Sequence, residues 1–138
     1  DDQDRINVEG MRKQSFDYPT SHLGLLACKA AQIQTGEQGH WDYFDAVQDA
    51  HMSENRNIDD PEVLINLAEI QGLNVQQFTH DLNNPQREIE LSQDKELAQK
   101  MGITSVPSLV INQRWQISGA QSLEDLRQQL IQIREDIK

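Results

Sequence analysis

One stretch of this chain reads as β-structure, and it sets the problem the rest must solve. After Gly102, the run Val106-Pro107-Ser108-Leu109-Val110-Ile111 is short, apolar and begins through a proline. Asn112-Gln113 makes a tight turn, Trp115 to Ser118 returns as a second strand, and Gly119-Ala120 breaks it. A two-stranded hairpin is marginal in water unless further strands or a helix cover it. A run as apolar as Leu109-Val110-Ile111 implies burial on both faces, hence partner strands. The chain offers no other convincing strand. The expectation is therefore an upstream strand–helix–strand unit, carried by the same protein or supplied by a partner chain.

Everything else reads as helix or connector. Residues 1–18 carry several charges and no clear period, and are read as a tail or connector. Pro19-Thr20-Ser21 starts a helix, with Thr20 or Ser21 as N-cap, and Leu23, Leu26, Ala27, Ala30, Ala31 and Ile33 follow at helical spacing until Gly36. A second helix runs from about His40 to Met52, with Trp41, Phe44, Val47 and His51 or Met52 on its less polar side. Asp60-Pro61 and Asn84-Pro85 each place a capping side chain before a proline at the first helical position. The first opens a helix with Val63, Leu64, Leu67 and Ile70 as its stripe, ended by Gly72. Asn74 begins a short helical turn through Phe78 and Leu82. The second proline opens a helix carrying Ile89, Leu97, Ala98 and Met101, ended by Gly102. Ser122, with Asp125 three residues on, caps a final helix whose stripe is Leu123, Leu126, Leu130, Ile133 and Ile137. The expected organisation is a tail at 1–18, a helical region at 19–101, and a hairpin plus helix at 102–138.

Charge narrows the function classes. The 138 residues carry a formal net charge of −11, and an acidic surface repels phosphates, which argues against nucleic acid and anionic membrane as partners. No apolar run approaches the roughly 20 residues of a membrane span. The single cysteine, Cys28, excludes an intrachain disulfide and a cysteine-rich zinc site, and an unpaired thiol suits a reducing, cytoplasmic compartment.

Two motifs carry a resemblance. Gly102-Ile103-Thr104-Ser105-Val106-Pro107-Ser108-Leu109-Val110-Ile111-Asn112 resembles the cis-proline loop and following strand of DsbA-like proteins, and Trp115-Gln116-Ile117-Ser118-Gly119-Ala120-Gln121-Ser122 looks like the ending of their FrnE branch. Gly39-His40-Trp41-Asp42-Tyr43-Phe44 and Ile58-Asp59-Asp60-Pro61-Glu62-Val63-Leu64 are similar to that family's helical insertion. The resemblance covers roughly Pro19 to Ile137. It implies an α/β, thioredoxin-like fold of the DsbA type with an all-helical insertion, here without the N-terminal β-α-β unit. It further implies a cis Val106–Pro107 bond, a substrate-binding loop of Thr104, Ser105, Val106 and Pro107, no cofactor and no metal. The family's redox Cys-x-x-Cys, which sits at a helix N-terminus where a thiolate is stabilised, has no counterpart in these residues. Relatives often carry an Ala-His pair where this chain reads Ala27-Cys28.

The remaining candidates have plain structural readings. Cys28 lies among Leu25, Leu26, Ala27, Ala30 and Ala31 and reads as a small buried hydrophobe. His22, His40, His51 and His80 show no metal-ligand spacing and read as surface or capping residues. Trp41, Tyr43 and Phe44 read as core of the helical region. Three functions follow from the resemblance. The first is thiol–disulfide exchange with protein or peptide substrates, with glutathione as a further partner; the second is a glutathione-dependent isomerase or transferase related to 2-hydroxychromene-2-carboxylate isomerase. The third is a peptide-binding or chaperone-like module without redox chemistry. A homodimer is compatible with each.

Overall fold

The computed structural model describes residues 5–137; the first four residues of the expected tail, and Lys138, lie outside the described residues. The elements run α1 (Val8–Lys13), α2 (His22–Met52), α3 (Pro61–Ile70), α4 (Val75–Leu82), α5 (Gln86–Lys100), β1 (Ser108–Ile111), β2 (Trp115–Ser118) and α6 (Leu123–Asp136). They form two compact units that divide between Ser92 and Gln93, within α5.

In the first unit α2 is broken at Gly36, whose φ of 71° and ψ of −161° are not helical. A continuous helix would hold residues 24 and 47 about 34 Å apart. Instead a Cβ built on Gly24 would lie 3.2 Å from Val47 Cγ1. The chain therefore reverses at Gly36 and the two arms of α2 pack on each other, which matches the two helices expected from the sequence. Gly24 lets the arms approach closely. The core they form with α3 and α4 includes Leu26, Cys28, Tyr43, Leu64 and Phe78. The Tyr43 hydroxyl donates to the Leu64 carbonyl at 2.7 Å, so this buried ring arrives with its polar end satisfied.

The proline-led starts behave as expected: Asp60 accepts from the Glu62 N–H and Asn84 from the Gln86 N–H. At the other ends Gly72 and Gly102 take φ of 74° and 70°. The N–H groups of Leu73 and Ile103 then reach back to the carbonyls of Ala68 and Ala98, closing both helices as Schellman turns. The start of α2 differs from expectation. Ser21 makes no side-chain cap, and Thr20 instead donates its N–H and hydroxyl to the Asp59 carboxylate at 2.7 and 3.1 Å. The expected connector also holds a short helix, α1, capped by Asn7, whose own N–H donates to the Met52 carbonyl at the end of α2.

In the second unit β1 and β2 pair antiparallel, Leu109 opposite Ile117 and Ile111 opposite Trp115. The turn uses left-handed Asn112 and Gln113, closed by the Arg114 N–H on the Ile111 carbonyl. Because residues opposite each other share a face, one face is Leu109, Ile111, Trp115 and Ile117. The other is Ser108, Val110, Gln116 and Ser118. Burial of β1 on both faces is thus not observed: Leu109 is 43 % exposed, and no third strand is present among the described residues. The α6 stripe is likewise covered only in part. Ile133 is buried, Leu126 half-buried, and Leu123 and Ile137 are exposed.

Candidate functional site

The residues that lead into β1 form a continuous exposed segment. After the Schellman turn at Gly102, Thr104, Ser105, Val106 and Pro107 are all exposed, Val106 at 89 %. The Val106–Pro107 peptide is cis. Two bonds anchor the segment to the hairpin: Ser108 Oγ donates to the Ser105 carbonyl at 2.7 Å, and the Gly119 N–H donates to the Pro107 carbonyl at 2.8 Å. Val106 itself makes no hydrogen bond among the described residues. In an antiparallel ladder alternate residues direct N–H and C=O to opposite edges, so half of the backbone groups of β1 point away from β2. Among the described residues the outer edge of β1 carries no partner strand, and such an edge takes an added strand, from the same protein or from another, by backbone hydrogen bonding. Beside it, Pro107, Leu109, Ile117, Gly119 and Leu126 line a largely apolar cleft of about 220 Å³.

The other sequence candidates lie in the first unit. Cys28 is fully buried at the wall of a smaller apolar cleft of about 130 Å³, shared with Gly24, Phe44, Val47, His51 and Ile58. Burial pushes its thiol up to about 12 from an ordinary 9.0, against smaller lowering effects of its backbone hydrogen bond and of Lys29. A thiol held protonated in this way is a poor nucleophile at neutral pH. Burial likewise pushes the Tyr43 hydroxyl above its ordinary range, with Cys28 acting in the same direction.

The aromatic trio separates. Tyr43 is core, Phe44 is half-buried, and Trp41 is 53 % exposed, so the expectation of a shared core role fails for Trp41. Among the histidines, His51 is buried and bonded through Nε2 to the Tyr18 hydroxyl at 3.0 Å, which corrects the surface reading. The sequence signal for it was its helical spacing from Phe44 and Val47. His22 contacts Glu88 at 2.9 Å, both exposed, and exposed His80 contacts half-buried Asp81 at 3.3 Å. Among the described residues no group of three or more His, Cys, Asp or Glu is placed to hold a metal, and no helix is long and apolar enough to cross a membrane.

A hairpin followed by a helix, introduced by a helical region and an exposed proline loop, defines a protein of the thioredoxin-like, DsbA-type class. The chain belongs to the thioredoxin family, whose model matches residues 1–132. Its fold matches the cytosolic disulfide reductase DsbM from Pseudomonas aeruginosa at a TM-score of 0.70 and 23 % identity, and at 0.69 and 21 % in the structure with GSH. Both alignments cover 92 % of this chain and 65 % of the reductase. The ClpXP adapter protein SpxH of Bacillus subtilis is 30 % identical over 95 residues, covering 67 % of this chain and 31 % of that protein. SpxH of Bacillus licheniformis is 30 % identical over 88 residues, covering 64 % of this chain and 29 % of that protein. The chain thus spans less than a third of the length of these curated relatives and about two thirds of the solved reductase.

Proposed function

We propose that this chain is the helical and substrate-binding part of a cytoplasmic thiol–disulfide oxidoreductase of the DsbA/FrnE type. The observation that carries the reading is the exposed 104–107 segment at the entry to β1, in a chain of the thioredoxin family. In this reading Val106 presents its backbone N–H and carbonyl to an extended peptide, Pro107 fixes the direction in which the chain enters β1, and Thr104 and Ser105 flank the peptide. The exchange itself needs a thiolate to attack the substrate disulfide, giving a mixed disulfide and one substrate thiolate. A second thiolate then attacks the mixed disulfide and releases the second substrate thiolate. Cys28 supplies neither, being buried, protonated and without a partner thiol. The two thiols come from a segment outside these residues or from glutathione, and the reductase solved with GSH supports glutathione as a partner. The unpaired cysteine and the cytosolic relative support the compartment.

A second reading has one observation in its favour. The adapter SpxH resembles this chain over 67 % of this chain and 31 % of its own length, which supports a module that binds protein without redox turnover. Reduction of insulin disulfides, driven by glutathione, separates the two. The intact gene product is expected to turn over, and Pro107→Ala to lower that turnover by roughly tenfold through misplaced substrate. The 138-residue chain alone is expected to show no Cys28-dependent turnover. An intact product with no turnover favours the binding module, and Cys28-dependent turnover by the chain alone would overturn the assignment of the thiols.

A further inference from the structure

The second arm of α2 carries two adjoining stripes. At about 100° per residue, Trp41, Phe44, Gln48 and Met52 share one sector of roughly 80°, and Asp42, Asp45 and Asp49 share the next. The first stripe opens onto the apolar cleft: Phe44, Gln48 and Met52 line it, together with Leu25 from the other arm. Trp41 extends it outward as an aromatic lip, its ring edge-on to Phe44 at 5.8 Å and more than half exposed. The second stripe is fully acidic and exposed. Asp42 accepts from Gln38 at 2.8 Å, and Asp49 pairs with the exposed Arg5 at 3.2 Å, an ion pair weak enough for a competing cation to displace.

We propose that this face docks a basic amphipathic helix of a partner protein, its apolar side chains on Trp41 and Phe44 and its lysines or arginines against Asp42, Asp45 and Asp49. The stripe from residue 41 to 52 is about 16 Å long, three turns of helix, which is the footprint of helix-in-groove recognition. The acidic rim sets the sign of the partner. A second copy of this chain would bring the same acidic stripe and a net charge of −11, and juxtaposed like charges oppose association. An anionic lipid surface is repelled for the same reason. The inference stands apart from disulfide chemistry, because none of these residues belongs to the 104–107 segment.

The test is fluorescence anisotropy of a labelled 18-residue Leu/Lys amphipathic peptide titrated with the full chain. The comparators are a Leu/Glu peptide of the same apolar pattern and a scrambled Leu/Lys peptide of the same composition. Saturable binding is expected for the patterned Leu/Lys peptide alone. Trp41→Ala, and separately the triple change D42N/D45N/D49N, should each weaken it about tenfold, and added salt should weaken it further. Circular dichroism of each variant checks that the helices persist; Trp41 is exposed enough for its removal to spare the core. Equal binding of the scrambled peptide would overturn the proposal, since it would reflect net charge alone. So would unchanged affinity in Trp41→Ala or in the triple variant, or an absence of binding.

Discussion

Apolar walls surround the thiol of Cys28, and the consequence is a dependence of stability on alkaline pH. In the unfolded chain the thiol titrates near its ordinary 9.0, and in the folded chain near 12. Between those values the unfolded state has released a proton that the native state still holds. Stability is therefore fully present below about pH 9 and falls as pH rises toward 12, by up to about 1.4 kcal/mol per pH unit. Tyr43, its hydroxyl also pushed up by burial, acts in the same direction at higher pH. The urea midpoint is expected to be flat from pH 7 to 8.5 and to drop between pH 9 and 11. Cys28→Ala should remove the early part of that drop while shifting the whole curve by a constant amount. A wild-type midpoint unchanged up to pH 11 would contradict this burial. The buried character of Cys28 was legible in its sequence neighbours. That of His51 was legible only in its helical spacing from Phe44 and Val47; its bond to the Tyr18 hydroxyl, 33 residues away in the chain, was not.

Helices in this chain were legible where punctuation is chemical. Proline after Asp60 or Asn84, and glycine at 36, 72 and 102, mark starts and stops through φ preference and missing N–H groups. Gly36 is the strictest of these: its φ of 71° with ψ of −161° falls in a region that essentially only glycine occupies. Gly36→Ala is expected to destabilise the chain by about 1–3 kcal/mol in urea melts. Because alanine also favours helix, the two arms should join into one long helix in part of the population. Size-exclusion chromatography would show that as an arm-exchanged dimer; a variant as stable and monomeric as the parent would contradict the hinge. Periodicity was a poorer guide to burial. Ile33, Ile70, Ile89 and Leu97 sit at helical spacing, yet they are 46, 66, 51 and 51 % exposed. An apolar stripe shows that a helix has a side to cover, without showing that anything covers it. The short α1 escaped the reading for the converse reason. It has no stripe, and its N-cap residue is tied by a backbone bond to Met52, a contact distant in sequence.

For the molecule as a whole, the two units differ sharply in what they bury. The first encloses Tyr43, Leu64, Phe78 and a further set of aliphatic side chains. Among the described hydrophobic residues of the second, only Ile117 and Ile133 are buried. Two buried isoleucines contribute about 3–6 kcal/mol together. The hairpin of 108–118 was legible from its entry proline and its turn residues, whereas its register is seen only in the structure. The expectation that Leu109-Val110-Ile111 is buried on both faces failed because, among the described residues, Leu109 stays exposed on one face and Val110 is only half-buried on the other, beside Ser108, Gln116 and Ser118. Among the described residues, the outer edges of the two strands also have no ladder partner. Local opening should therefore be far cheaper in the second unit. Hydrogen exchange is expected to leave the amides of Ala27–Ala31 and Leu64–Ala68 at least about a hundredfold more protected than those of Leu109–Ile111 and Gln116–Ser118. The measurement is deuterium uptake by peptide mass at neutral pH. Equal protection in both units would mean that the hairpin face is covered in solution, by a second copy or a bound partner. Loss of that protection on dilution would then identify the cover as intermolecular.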